Sequence, residues 1–597
     1  MTDFVRRRLL RHAGLLGAGM AMSSLIPAWA RSNTAGLTRP PPTVSGDDIR
    51  LRVGHSMWSV DGRRGHAVTV NGTVPGPLVR LKAGQIARIA VTNDLEEDTS
   101  IHWHGLILPS QMDGVPGLSF PGIKPGETFQ YDFPVRQAGT YWYHSHSGLQ
   151  EQEGHYGPIV IDPAGPDPVA YDRDHVVVLS DFSFMHPHQI MRKLKQQPGV
   201  FNYQKQTIGG LIAGRDQGLK DRVEWAGMRM DPTDVSDVTG SLYTYLINGH
   251  GPEDNWTALF QPGERVRLRF INAAAMTIFN VRIPGLTMTV VQADGQNVKP
   301  VPVDEFQISV AETFDVIVQP TEDRAFTLVA EAVDRSGMGR ATLAPRPGMV
   351  AAVPALRERP LGTMKDMGMD MAGMDHGAMD MGADSAMAEA PPPEWAADAE
   401  VETGGTSMAG MSMGMRDPAN APQVRMGPGV QTISPMPVDR TGEPGQGLDH
   451  VEGRVLVYRD LEALEPNPDT RTPSRSLELH LTGNMERFMW SFDGEKFSEI
   501  TAPIPFRRDE RVRVTLVNDS MMSHPIHIHG HFFELLTGPP GRHPRKHTVN
   551  VAPGGKVTFD LTADAPGDWA FHCHMLYHMH AGMFRVVTVR PLDGEVG

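Results

Sequence analysis

Three stretches of this chain are variations on one another: GQIARIAVTND (Gly84–Asp94), GERVRLRFINA (Gly263–Ala273) and DERVRVTLVND (Asp509–Asp519). Each reads as a turn followed by a strand with period-two alternation that ends at an Asn. Self-similarity of this kind means the chain is built from copies of one β-rich unit. A second pair agrees: AGTYWYHSH (Ala138–His146) and PGDWAFHCH (Pro566–His574), in both of which the first His follows the Gly by five residues. The remainder is short β-rich runs broken by Gly and Pro, with few long helical periods, so antiparallel β-sandwiches are expected. At 597 residues the chain is too long for one core. Domains are placed at 45–165, 170–355 and 445–597. The 360–440 stretch, rich in Met, Gly, Asp, Ala and Pro and poor in β-branched residues, is expected to be a disordered insert.

The first 30 residues read as an export signal. RRRLLR (Arg6–Arg11) precedes the weakly apolar run AGLLGAGMAMSSLIPAWA, and Ala28 and Ala30 fit an A-x-A cleavage site before Arg31. The paired arginines resemble a twin-arginine signal, whose pathway carries folded proteins; an ordinary secretory signal is the alternative. Both lead out of the cytoplasm, and a periplasmic location is expected. No later segment offers the ~18 uninterrupted apolar residues of a membrane helix, so no stable membrane insertion is expected. A net charge of −15 excludes a nucleic-acid partner. With a single Cys the chain forms no internal disulfide.

That Cys lies inside the most informative pattern. With 25 His in the chain, chance gives roughly one H-x-H pair, yet seven occur. Four concern the repeated strands: His102/His104, His144/His146, His527/His529 and His572/His574. On a strand, residues i and i+2 face the same way, so each pair is a two-pronged metal clamp. In HCH the two histidines face one side and Cys573 the other, so one strand serves two metal sites. On the Cys side His578 and Met583 follow at plus five and plus ten. A trigonal His₂Cys set with a weak axial Met is the blue-copper arrangement; the second His must come from elsewhere, and His524 is the candidate. A thiolate bound to copper accounts for an isolated Cys that no disulfide uses.

HWHG, HSH, HPxHxHG and HCHxxxHxxxxM, in that order, resemble the four copper motifs of the multicopper oxidases across essentially the whole chain outside the Met-rich insert. The resemblance implies an all-β fold of three cupredoxin-like Greek-key β-sandwich domains. It also implies four copper ions, one type 1, one type 2 and two type 3, with the last three in a cluster between the first and last domains. Carried over by position, His524, Cys573, His578 and Met583 would hold type 1 copper; His102 and His527 type 2; and His104, His144, His146, His529, His572 and His574 the type 3 pair. Electrons would run from type 1 copper through Cys573 to His572 and His574, and dioxygen would be reduced at the cluster. Asp113, in QMDGVPG, matches the family's acidic residue beside the cluster. The first domain carries Ser145 where the third has Cys573, and the second follows its strand with NAAAMTIFNVRIPG, which has no His; it is expected to be a spacer without copper. The chain departs from many family members after the second type 1 His, where Met579 and His580 replace an acid.

Two further segments bear on the electron donor. MKDMGMDMAGMDHGAMDMGAD (Met364–Asp384) and MAGMSMGM (Met408–Met415) set thioethers beside Asp and His. Thioethers are soft ligands that favour Cu(I), so Met364, Met367, Met369, Met371, Met374, His376, Met379, Met381, Met408, Met411, Met413 and Met415 are candidates for Cu(I) recruitment. With RFMWSFDG (Arg487–Gly494) and the export signal, they resemble the copper-resistance oxidases of the family. The expected partners are dioxygen and either Cu(I) or a small reducing substrate, for a monomeric enzyme. Two alternatives stand beside a cuprous oxidase: a laccase-like phenol oxidase and a non-enzymatic copper store. The His186/His188 and His543/His547 pairs are read as surface histidines.

Overall fold

The three repeated stretches form the strands Ile86–Asn93, Val266–Asn272 and Arg511–Asn518. In the computed structural model, which describes residues 41–369 and 415–592, the three occupy equivalent places. Each runs parallel to an earlier strand (Asp48–Val60, Arg173–Ser183, Arg475–Asn484). Each runs antiparallel to a later one (Thr128–Pro134, Thr313–Val318, Gly555–Thr562). The sandwiches are therefore mixed rather than purely antiparallel. Parallel neighbours need a crossover connection, and here the crossover passes through the opposite sheet, as a Greek-key path requires.

The Asn that ends each repeat has a structural purpose. Asn93 donates from its side chain to the carbonyls of Glu97 and Ile123, Asn272 to those of Thr277 and Ile308, and Asn518 to those of Met522 and Val551. Its oxygen accepts the backbone N–H two residues on, at Leu95, Ala274 and Ser520. The buried amide thus closes the following loop as an Asx turn and ties it across the sandwich. In the first and third copies that loop delivers the chain to His102 and His524.

The first sandwich packs a four-stranded sheet on a five-stranded one that contains Gly139–His144 and His102–His104. The third repeats the plan, its five-stranded sheet holding Gly567–Cys573 and His524–Ile528. The second sandwich has six- and five-stranded sheets, and between Arg173–Ser183 and Tyr243–Ile247 it inserts helices at Pro187–Gln196, Ile208–Ile212 and Leu219–Met228. No helix among the described residues is long and apolar enough to cross a membrane. Residues 1–30, with the export signal, and most of the Met-rich insert lie outside the described residues.

Candidate metal centre

Strand register brings the paired histidines together. In the first sandwich His102 sits opposite His144 across the ladder, and in the third His527 sits opposite His572. The two sandwiches then meet ring against ring. His102 stacks on His529 and His104 on His527, each with centroids 3.8 Å apart. His146 approaches both His529 and His572. All eight imidazoles pack into one cluster between the terminal sandwiches, and seven of them are buried.

Their hydrogen bonds fix which nitrogen is free. His102 Nδ1 donates to the Asp113 carbonyl (2.8 Å), His144 Nδ1 to Glu151 (2.8 Å), and His527 Nδ1 to the His547 carbonyl (2.7 Å). Their Nε2 atoms, and that of His146, have no protein partner. His529 Nδ1 is held by Asp113 Oδ2 and His572 Nδ1 by the Cys573 carbonyl, leaving the two Nε2 atoms 3.1 Å apart. Burial, with the charge of neighbouring imidazoles added, holds His104, His146, His527, His529 and His574 well below the ordinary histidine value. Burial pushes His572 down to about 3. In these six rings the neutral form is favoured, so lone pairs confront one another where the rings converge. A buried acceptor without a partner costs ~1–3 kcal/mol, and several converging ones fit a cluster of cations. Neutral imidazole is a borderline donor that suits copper.

The opposite face of the same strand builds a second site. Cys573 Sγ lies 3.6 Å from His524 Nδ1 and 3.8 Å from His578 Nδ1, and these nitrogens are 3.2 Å apart. The outer nitrogens are occupied, His524 Nε2 by Ser520 Oγ and His578 Nε2 by Asp237 Oδ2 at 2.6 Å, so both inner nitrogens point at the sulfur. Met583 is fully buried, its N–H donating to the His578 carbonyl while its own carbonyl accepts from the Cys573 N–H. Trp490, from RFMWSFDG, stacks on His578 at 4.0 Å. Burial pushes the Cys573 thiol up; a coordinated metal deprotonates such a thiol outright. A thiolate and two imidazoles form a donor set that fits copper, and Met583 is buried on the turn bonded to them.

Of the residues that support these rings, Asp113 is legible in the sequence and several others are not. Asp113 was singled out, and it bridges His102 and His529 across the two sandwiches. Glu151, seven residues after His144, was passed over; burial, and then the charge of Asp181, raise it well above the usual carboxylate range. The second sandwich, expected to be a spacer, supplies Asp237 to His578 and Asp294 to the backbone N–H groups of His547 and Thr548. The surface reading of His547 is wrong: its ring is fully buried, 4.7 Å from His104 and 5.4 Å from His527. It packs on Gly105, where φ is +81° and a Cβ would come within 2.6 Å of the imidazole. His186 and His188 are exposed.

The second and third sandwiches also share a methionine cluster. Trp225, Met367 and Met521 are buried together, with Met228, Met230, Met369, Met415 and Met485 packed on them. A cavity lined by Met230, Met485, Met521, Asp231 and Asp234 opens beside it. Asp234 Oδ1 has no partner, and burial, reinforced by the charges of Asp237 and Asp231, raises its carboxyl to about 8. Of the proposed recruitment residues, Met367, Met369 and Met415 join this cluster and Met364 lies beside it in sequence; Met371, Met374, His376, Met379, Met381, Met408, Met411 and Met413 lie outside the described residues.

Family profiles described as multicopper oxidase match residues 52–165, 216–353 and 470–593. Copper resistance protein A of Escherichia coli is 48% identical, over 98% of this chain and 99% of that protein. A copper resistance protein A homolog of Pseudomonas syringae pv. tomato is 49% identical, over 96% and 98%. Among solved structures, Fet3p, a multicopper oxidase that functions in iron import, superposes with a TM-score of 0.62 at 20% identity, covering 92% of this chain and 91% of that one.

Proposed function

The chain belongs to the multicopper oxidase family, and from that premise we propose that it oxidises Cu(I) to Cu(II) at the expense of dioxygen, as a copper-resistance enzyme of the periplasm. Per turnover, one dioxygen and four protons take one electron from each of four Cu(I) ions, giving two waters and four Cu(II). The four resident coppers would supply one-electron storage and a four-electron delivery site.

His524, Cys573, His578 and Met583 would hold type 1 copper, His102 and His527 type 2, and His104, His144, His146, His529, His572 and His574 the type 3 pair. The remaining work falls to the chain. Cys573 and His572 are bonded neighbours on one strand, and His572 Nδ1 donates to the Cys573 carbonyl at 2.9 Å, so the electron path is a few covalent bonds plus one hydrogen bond. Asp113 would hold the ring orientations of His102 and His529, and its carboxylate, like that of Glu151 on His144, lies directly against the histidine cluster. Trp490 and Phe488, packed on His578, would keep water away from the electron acceptor.

What carries the cuprous reading is the methionine-lined cavity that holds Asp234, whose charge neighbour Asp237 bonds the outer nitrogen of His578. Thioethers select Cu(I) over Cu(II), and carboxylates favour the doubly charged product, so such a site receives the reduced ion and loosens its hold on the thioethers after oxidation. Arg6–Arg11 support twin-arginine export, and one chain supplies every ligand, which supports a monomer. The test is oxygen uptake with Cu(I) against a phenol, before and after deletion of residues 361–415. Loss of the Cu(I) rate with the phenol rate retained is expected; equal loss of both would overturn the assignment of the methionines.

A further inference from the structure

Two histidine pairs outside the copper motifs meet at one carboxylate. His55 lies on the strand Asp48–Val60 and His66 on Arg63–Val70. Their register sets Val68 opposite His55 and Met57 opposite His66, so the two imidazoles are diagonal neighbours on one face, with centroids 4.7 Å apart. His186 and His188 stand at the start of the helix Pro187–Gln196 in the second sandwich, their rings stacked at 5.4 Å. One ring of each pair reaches Glu153, whose Oε1 is 3.4 Å from His66 Nδ1 and 3.8 Å from His186 Nε2.

The fold holds this carboxylate in place. Glu153 ends the short turn Gln150–Glu153, whose first three residues are buried. Gln150 Oε1 accepts from Ser145 and Thr99, Glu151 accepts from His144 Nδ1, and Gln152 donates to the Asp181 carbonyl. A turn anchored at three successive side chains presents Glu153 to a surface basin that all four histidines also line. Its side chain is 13% exposed, against 49% for His66 and 52% for His186.

The donor set selects the ion. Bonds of ~2.0–2.1 Å put neighbouring donors of a four-coordinate metal ~3–3.4 Å apart, so small side-chain turns close both spacings. Imidazoles with a carboxylate suit Cu(II), the most tightly bound of the common divalent first-row ions. The described residues that line the basin carry no sulfur, and Met57 is not among them. The basin is thus the chemical reverse of the methionine cluster. His186 Nδ1 accepts the His188 N–H at 3.3 Å; metal on Nε2 moves the ring proton to Nδ1 and gives up that long bond.

We propose that His66, Glu153 and His186, with His55 and His188 beside them, bind a Cu(II) ion on the outer surface, in addition to the four resident coppers, and so retain the oxidised ion. The retention of product rests on the cuprous oxidase reading; the binding of Cu(II) does not.

The test titrates copper-loaded full-length protein, freed of loosely held metal, with Cu(II) in equilibrium dialysis. Wild type is compared with the double variant His66→Ala, His186→Ala at equal free Cu(II), and the added ion is read by difference electron paramagnetic resonance. Wild type should take up about one copper more than the double variant, and that ion should show nitrogen splitting from imidazole. The visible absorption and the oxygen uptake with Cu(I) should be the same in both. If the double variant loses the visible band, His66→Ala alone is judged by the same count. Equal uptake by wild type and a variant that keeps the visible band overturns the site, as does an added ion without nitrogen splitting. A wild type that consumes no oxygen with Cu(I) would instead overturn the oxidase reading and leave the count of bound Cu(II) standing.

Discussion

The cysteine end of the third sandwich and the serine end of the first share a backbone and divide in chemistry. Cys573 has His578 at plus five and Met583 at plus ten; Ser145 has Gln150 and His155 at the same offsets, and Thr99 precedes His102 by three as His524 precedes His527. The Cys573 N–H donates to the Met583 carbonyl at 3.2 Å, and the Ser145 N–H to that of His155 at 2.9 Å. The Met583 N–H donates to the His578 carbonyl at 3.1 Å, and the His155 N–H to that of Gln150 at 3.2 Å. In the third sandwich the inner atoms are one sulfur and two imidazole nitrogens, 3.2–3.8 Å apart, with a single S–H to share between the two nitrogens. In the first, Ser145 and Thr99 both donate to Gln150 Oε1, and Gln150 Nε2 donates to Glu97 and the Asp98 carbonyl. The frame is common property of the fold; the metal site is what results when its inner side chains cannot satisfy one another.

The harshest test of that difference is to erase it. Cys573→Ser gives the third sandwich the HSH of the first. It should abolish the visible absorption and oxygen uptake with every donor, while copper analysis falls by roughly one ion in four; turnover at the wild-type rate would sink the proposed electron route. The reverse substitution is more instructive. Ser145→Cys alone should give no visible band, because Gln150 and Thr99 are not ligands. The fourfold variant Thr99→His, Ser145→Cys, Gln150→His, His155→Met should bind one further copper and about double the band; if it does not, the shared frame is not sufficient.

A smaller effect concerns the carboxylate behind each plus-five residue, Asp237 on His578 and Glu97 on Gln150. Asp237→Asn should slow Cu(I) oxidation by roughly tenfold, ~1.4 kcal/mol of barrier, with copper content unchanged. Glu97→Gln should leave the rate as it is. Smallest is the loop tie: Asn518→Ala and Asn93→Ala should each lower stability by ~1–3 kcal/mol, read from denaturant midpoints of the metal-free protein. Only Asn518→Ala should also broaden the visible band, because its loop delivers His524.

The converging histidines were legible because period-two pairing writes them into adjacent letters. Their supports were not. Asp237 reaches His578 from 341 positions away and Asp113 reaches His529 from 416; no spacing rule encodes such a distance, and Asp113 was reachable only through the family's pattern. His547 misleads because RHPRKH reads as a charged surface run. Lys546 is fully buried there, its charge met by Asp294 and Glu312 from the second sandwich, a compensation invisible until the domains are assembled. The plus-five and plus-ten match at Ser145 was in plain sight, but Gln and Thr carry no metal signal to prompt a search.

The stacking of His102 on His529 and of His104 on His527 also bears on when this enzyme comes to life. The cavity draws on residues from 102 to 574, so no nascent fragment contains it, and neither terminal sandwich made alone would capture the cluster. Metal bound there would tie the two ends of the polypeptide together. The loaded protein should therefore unfold its outer sandwiches in one step at a temperature that depends on copper, and the stripped protein in separable ones.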